Sequence, residues 1–325
     1  MRIGIIGAGA WGTALASVAA DNGHDIILWA REPEVAEAIE RTHTNERFLP
    51  GSVLPPTVRG THVLDELVGS DVIINSTPTQ YVRTTITDAV VSGAIVVNVA
   101  KGIEVGTHLR VSEILNHVAP SLRSYAVLSG PSHAEEVILR MPTTVVCASA
   151  SPEVASMIQH VFSTESFRVY ASDDVIGVEI CGALKNVIAI AAGIVDGLGL
   201  GDNTKAALIT RGLAEIARLG VALGADQATF FGLAGLGDLY VTCASRHSRN
   251  RSVGERIGKG ATLAEILGSM HAVAEGVPTT KAALELAATV DIELPITEKV
   301  AEILFDGVDP HTAIRDLMVR PVKTE

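Results

Sequence analysis

At 325 residues the chain exceeds what one hydrophobic core usually fills, and about 150 residues per domain points to two domains. Its 47% hydrophobic and 19% charged residues support a large buried interior and exclude a disordered, collagenous or low-complexity protein. A formal net charge of −12 repels phosphate backbones and anionic membrane surfaces, so nucleic acid is not an expected partner.

The first half alternates short β-branched runs with helical patterns, as a parallel sheet covered by helices requires. Residues 2–6 read as a strand, 13–22 as a helix and 25–30 as a second strand. Further strands are expected at 72–75, 94–98 and 125–128, each a brief apolar run bounded by polar residues or glycine. A final pair at 143–147 and 167–170 extends the same sheet. Beyond about residue 175 the pattern becomes long, Ala-rich and of helical period, over 176–196 and 203–223. Shorter helices are expected at 252–257, 262–267, 279–289, 295–305 and 310–318, with glycine-rich turns at 232–237 and 258–260.

Residues 3–20 are uncharged and end in Ala19-Ala20, like a secretory leader. Gly4, Gly7, Gly9 and Gly12 interrupt that stretch, each weakening a helix by about 1 kcal/mol relative to alanine, so a leader is not expected. The next longest apolar run, 187–195, is about half the length that crosses a bilayer, and no membrane-spanning segment is expected. Cys147, Cys181 and Cys243 are far apart, odd in number and contain no CxxC pair. That excludes a disulfide framework and a thiolate metal site, and it points to the reducing cytoplasm.

Gly7-Ala8-Gly9-Ala10-Trp11-Gly12 is a G-x-G-x-x-G string directly after a strand and opening a helix. The first glycine permits a tight turn, the second lets a pyrophosphate approach the backbone, and the third lets helix pack on strand, with the helix N-terminus facing the anion. The expected fold is therefore α/β, with an N-terminal Rossmann-type, mostly parallel sheet domain over 1–175 and an all-helical C-terminal domain over 176–325. Such a second strand normally ends in an acid that binds the adenosine ribose; here it ends in Arg31 followed by Glu32. Arg31 suits a 2′-phosphate and Glu32 a ribose hydroxyl, so NADPH and NADH are both expected cofactors.

Ligands of an open parallel sheet bind beyond the carboxyl ends of its strands, which singles out Thr77-Pro78, Ala100-Lys101-Gly102 and the segment 129–134. There Ser132 is either a ligand-binding hydroxyl or a helix cap. Lys185 lies in so apolar a helix that its amine is either buried, with a pKa lowered toward that of a proton donor to a ketone, or snorkelling to the surface. Asp238, after the Gly235-Leu236-Gly237 turn, is a partner for Lys185 or a helix cap. Arg246-His247-Ser248-Arg249-Asn250-Arg251 concentrates positive charge in an acidic chain and suits a phosphate, or else forms a solvated loop.

Together these residues resemble the bacterial NAD(P)-dependent sn-glycerol-3-phosphate dehydrogenases over nearly the whole chain. The carriers are GAGAWGTALA at 7–16, AKGIE at 100–104, LSGPSHAEEV at 128–137, GVEICGALKNVIAIAAGIVDGLGLGDNTKAALITRGLAEIARLG at 177–220 and GLGDLYVTCASRHSRNR at 235–251. The resemblance implies that Lys185 is the proton donor and acceptor. It implies that Lys101, Gly130, Ser132, Lys185, Asp238, Ser248, Arg249 and Asn250 contact substrate. Ala10, Trp11, Arg31, Lys101, Ala134, Arg249, Val273 and Glu275 would join Gly7, Gly9 and Gly12 around the nicotinamide cofactor. Two positions depart from the pattern: Ala10 stands where similar enzymes often have serine, and Arg31-Glu32 where they often have a basic pair.

The reaction so implied is reduction of dihydroxyacetone phosphate to sn-glycerol 3-phosphate, which supplies the backbone of phospholipids. No metal is required, and the Ala-rich second half is compatible with a homodimer. Two other functions are weighed against this one. A 2-hydroxyacid dehydrogenase would use His133 or His247 as its base. A regulator would sense NADPH without turning anything over.

Overall fold

The computed structural model describes residues 1–270 and 273–321. By contacts the chain divides into two compact units, residues 1–101 with 109–179, and residues 102–108 with 180–325.

The first unit holds a sheet of β1 (Arg2–Ile6), β2 (Asp25–Trp29), β3 (Val58–Thr61), β4 (Val72–Asn75), β5 (Ile95–Asn98), β6 (Ser124–Ser129), β7 (Thr143–Ala148) and β8 (Phe167–Ser172), in the order β3-β2-β1-β4-β5-β6-β7-β8. Neighbours run parallel except β6 and β7, which are antiparallel. Successive residues of a strand face opposite sides. Ile5, Leu28, Ile74 and Val97 therefore join one buried cluster, while Ile6, Ile27, Ile73 and Val96 join the other. Both faces are covered, which is why these strands are apolar runs without alternation. The chain moves outward from β1 to β3, then returns to place β4 on the other side of β1. That reversal leaves a crevice at the carboxyl ends of β1 and β4.

The structure adds elements that the sequence pattern did not place. β3 is an edge strand whose Val-Arg-Gly-Thr lacks an apolar run. Helices Pro33–Thr42 and Pro152–Phe162 each open on a proline, which suits the first helical turn, and Ser151 caps the latter by accepting from the Val154 amide at 3.3 Å. Helix Val111–Val118 was likewise not singled out.

Beyond β8 the described residues contain helices and turns but no strand. Helix Val175–Gly197 is, against expectation, long and apolar enough to cross a membrane. Glu179 and Lys185 interrupt its apolar run without ending the helix. Its apolar window is 89% buried inside the protein, as in a core helix. In the second unit this helix meets helix Arg249–Gly258 at bare backbone. A Cβ on Gly193 would stand 1.9 Å from the Arg251 carbonyl oxygen, and one on Gly254 would stand 1.9 Å from that of Ile190. Gly197 and Gly258, one turn further along each helix, also meet backbone: a Cβ on Gly197 would stand 2.4 Å from the Glu255 carbonyl oxygen and one on Gly258 2.7 Å from that of Ile194. Helix Gly201–Ala222 carries the buried Glu215, whose carboxylate accepts from the Ile296 and Thr297 amides at 2.8 and 3.0 Å and from the Thr297 hydroxyl at 2.7 Å. It thereby caps helix Pro295–Ala301 from outside.

Candidate active site

Gly7 turns the chain out of β1 with φ +111°, its amide donating to the Trp29 carbonyl at 3.0 Å. A Cβ there would stand 2.9 Å from the Ser76 backbone, and one on Gly12 would stand 2.0 Å from the Gly7 oxygen. Packing alone demands both glycines. Gly9 is different: its φ of −67° suits any residue, and nothing lies within 4 Å of where its Cβ would be. It opens helix Ala10–Asp21, whose first amides receive no side-chain cap. A bare position before uncapped amides is the opening a pyrophosphate needs, so this loop fits a dinucleotide. Nearby, Trp11 Nε1 is buried with no acceptor among the described residues, an uncompensated donor of the kind binding sites carry. Arg31, just past β2, is exposed and donates to Glu32 at 2.8 Å.

β4 and β5 end in two buried amides that sequence reasoning missed. Asn75 Nδ2 donates to Asn98 Oδ1 at 2.8 Å, the Thr77 hydroxyl donates to Asn75 Oδ1 at 2.6 Å, and Asn98 Nδ2 donates to the Ala100 carbonyl at 3.1 Å. These bonds hold the turns that carry Thr77 and Lys101. Lys101 Nζ and Ser132 Oγ both donate to the Gly130 carbonyl, at 3.4 and 2.9 Å. Gly130 has φ +143°, and a Cβ there would stand 2.9 Å from Val145 Cα. Lys101, Gly130 and Ser132 thus gather at the ends of β5 and β6. Ser132 does not cap helix Ala134–Val137, whose capping position is His133.

In the second unit Lys185 is buried, not snorkelling. Its Nζ donates to Asp238 Oδ1 at 2.7 Å and to Thr242 Oγ1 at 2.6 Å, and the Thr242 hydroxyl donates to the Asp238 carbonyl at 2.6 Å. The hydroxyl's own proton is so engaged that a lone pair faces the amine. The amine is thus removed from water and held between two oxygens. Asp238 is aimed by the preceding wide turn Leu233–Gly237, where the Gly237 amide reaches back five residues to the Gly232 carbonyl at 3.2 Å. Such π-type turns cluster at functional sites. Cys243 lies within electrostatic reach of Lys185, and burial pushes its thiol up to about 12.

Next to Lys185, Asn186 accepts from Asn250 Nδ2 at 2.9 Å, while Asn250 Oδ1 accepts from the Gly276 amide at 3.0 Å. Thr242 and Asn186 were not anticipated. The signals were present: Thr242 follows Asp238 by one helical turn, and Asn186 adjoins Lys185. Ser248 caps helix Arg249–Gly258 by accepting from the Arg251 amide at 3.2 Å, which leaves its O–H to donate. Arg249 is exposed. Val273 is exposed as well, and Glu275 immediately precedes helix Gly276–Ala288. The unit thus brings Lys185, Asp238, Thr242, Asn186 and Asn250 together around facing glycine-lined helices.

Comparison with known proteins shows the family. Residues 2–155 match the model of the NAD-dependent glycerol-3-phosphate dehydrogenase N-terminus, and residues 174–315 match that of its C-terminus. A glycerol-3-phosphate dehydrogenase [NAD(P)+] of Chlorobium phaeobacteroides (strain BS1) is 50% identical, covering 100% of this chain and 99% of its own length. One from Geobacillus thermodenitrificans is 53% identical, covering 100% and 96%. The crystal structure of glycerol-3-phosphate dehydrogenase from Coxiella burnetii superposes with a TM-score of 0.94 at 37% identity, over 98% of this chain and 99% of that one. The chain therefore belongs to the NAD-dependent glycerol-3-phosphate dehydrogenase family.

Proposed function

We propose that this chain reduces dihydroxyacetone phosphate to sn-glycerol 3-phosphate with NADPH or NADH, and that Lys185 handles the proton. The carrying observation is the buried Lys185–Asp238–Thr242 cluster, an amine held by two oxygens and removed from water. When bound, the nicotinamide supplies the hydride that reaches C2 of the ketone. Lys185 Nζ donates its proton to the oxygen on that carbon, and in the reverse direction the neutral amine takes it back. Asp238 and Thr242 fix the amine's direction. Arg249, with Asn250 and the Ser248 O–H, is assigned to the substrate phosphate, so that remote binding energy aligns the carbonyl. Lys101, Gly130 and Ser132 complete the substrate contacts. Gly7, Gly9, Gly12, Ala10, Trp11, Arg31, Lys101, Ala134, Arg249, Val273 and Glu275 would hold the cofactor. The division of labour, dinucleotide over 1–175 and substrate over 176–325, belongs to this proposal.

A cytoplasmic setting is supported by three buried, unbridged cysteines, and a homodimer by the exposed Phe231, Leu236 and Tyr240. The deciding experiment follows NADPH absorbance with dihydroxyacetone phosphate, unphosphorylated dihydroxyacetone and pyruvate. Selective turnover of the phosphorylated ketone is expected. Preference for pyruvate would overturn the reading in favour of a histidine base, and no turnover at all would favour a sensor.

A further inference from the structure

Just past β2, two arginines from separate stretches of chain reach one carboxylate oxygen. Arg31 Nη2 lies 2.8 Å from Glu32 Oε1, and Arg47 Nη2 lies 4.0 Å from the same atom. Arg47 also pairs with Glu34 at 2.7 Å, and its guanidinium sits 5.3 Å over the Phe48 ring. The anion is the fixed member: the Glu32 side chain is 17% exposed, against 75% for Arg31 and 49% for Arg47. Partial burial pushes the Glu32 carboxyl up, but the hydrogen bond and charge of Arg31, with Arg47 behind them, hold it below the ordinary carboxylate value. It is ionised at neutral pH.

The end of this strand is where the adenosine ribose of a dinucleotide meets the sheet, and the 2′ substituent there separates NADPH from NADH. We infer that Arg47 is a second cation for the 2′-phosphate, acting with Arg31, and that Glu32 holds both guanidiniums at that spot until the phosphate displaces it. The inference rests on the cofactor reading of the glycine loop. Arginine forks match phosphate oxygens, and the two nitrogens near one oxygen stand close enough to share a single multi-oxygen anion. Glu32 competes with the phosphate for both cations, and Glu34 competes for Arg47. Either carboxylate therefore opposes NADPH, while Glu32 remains an acceptor for the 2′-hydroxyl of NADH. The subsite accepts both cofactors, and Arg47 sets how far NADPH is favoured.

Calorimetric titration of the purified chain with 2′,5′-ADP and with ADP tests this without turnover. Arg47→Ala is expected to weaken 2′,5′-ADP by about three- to tenfold while ADP changes by less than about twofold. Glu32→Gln should strengthen 2′,5′-ADP and weaken ADP. Arg47→Lys keeps the charge without the fork and should lose part of the 2′,5′-ADP preference. Equal losses for the two ligands in Arg47→Ala, or none, overturn the role of Arg47 and leave the cofactor site standing. A wild-type chain that binds neither ligand overturns both.

Discussion

Gly254→Ala isolates the contact on which the second unit's site is built. Helix propensity alone would make alanine about 1 kcal/mol better than glycine at this position. Its Cβ, however, would stand 1.9 Å from the Ile190 carbonyl oxygen and 2.9 Å from the Ile194 amide nitrogen. Both are backbone atoms of a facing helix, so no side-chain rotation relieves the clash, and the two helices must part. Overpacking of this kind costs about 3 kcal/mol at the upper end of its usual range, leaving a net loss of about 2 kcal/mol. For a unit of this size that lowers the melting temperature by about 4–8 °C. The same parting separates Asn250 from Asn186, beside Lys185, and shifts Arg249 at the head of the helix, so KM for dihydroxyacetone phosphate should rise. Ser252→Ala, on the exposed side of the same helix, is the control and should leave the melting temperature unchanged or raise it. Calorimetry and steady-state kinetics on the two variants settle the matter: a Gly254→Ala protein melting with the wild type refutes the close-packing argument.

Lys185→Ala should lower kcat by about 10²–10⁴-fold while NADPH still quenches tryptophan fluorescence; near-normal turnover would refute the proton role. Gly9→Ala should fold as well as the wild type, because nothing crowds its Cβ, yet bind NADPH about tenfold more weakly or worse. Gly12→Ala should lose stability before any ligand is added, and a reversed pattern between the two variants would refute the division of roles. Burial holds the Glu215 carboxyl above its ordinary value of 4.5 despite the hydrogen bonds from Thr297 and Ile296. The folded chain then keeps a proton that the unfolded chain has released, so this group's contribution to stability falls as pH rises from about 4.5 through the raised value. Glu215→Gln should flatten that slope in urea denaturation as pH rises above about 4.5, and an unchanged slope counts against it.

Sequence pattern revealed most where one residue type has one physical reason to be there. Gly7 and Gly12 were legible because a turn and a helix–strand contact admit nothing larger. Lys185 was legible because an amine in an apolar helix needs a partner, and Asp238 proved to be that partner. β3 was not legible, because an edge strand need not be apolar on both faces. The reversal of β7 was hidden too, since an apolar run carries no direction. Asn75, Asn98, Asn186 and Thr242 escaped because their importance lies in which groups they bond, and amides and hydroxyls occur as often on surfaces. Arg47 escaped for the related reason that its convergence with Arg31 on Glu32 exists only once the chain is folded.

The five-residue turn before Asp238 constrains how this segment can change length. A π-type turn closes its hydrogen bond over one residue more than an α-turn does, so its five residues carry the chain about as far around the axis as four α residues at about 100° each. One deletion within Leu233–Gly237 is absorbed by tightening to α winding, and Asp238 and Thr242 keep their direction toward the amine. A second deletion finds no such slack and rotates both away together, so the turn holds a single residue in reserve for the site's phase.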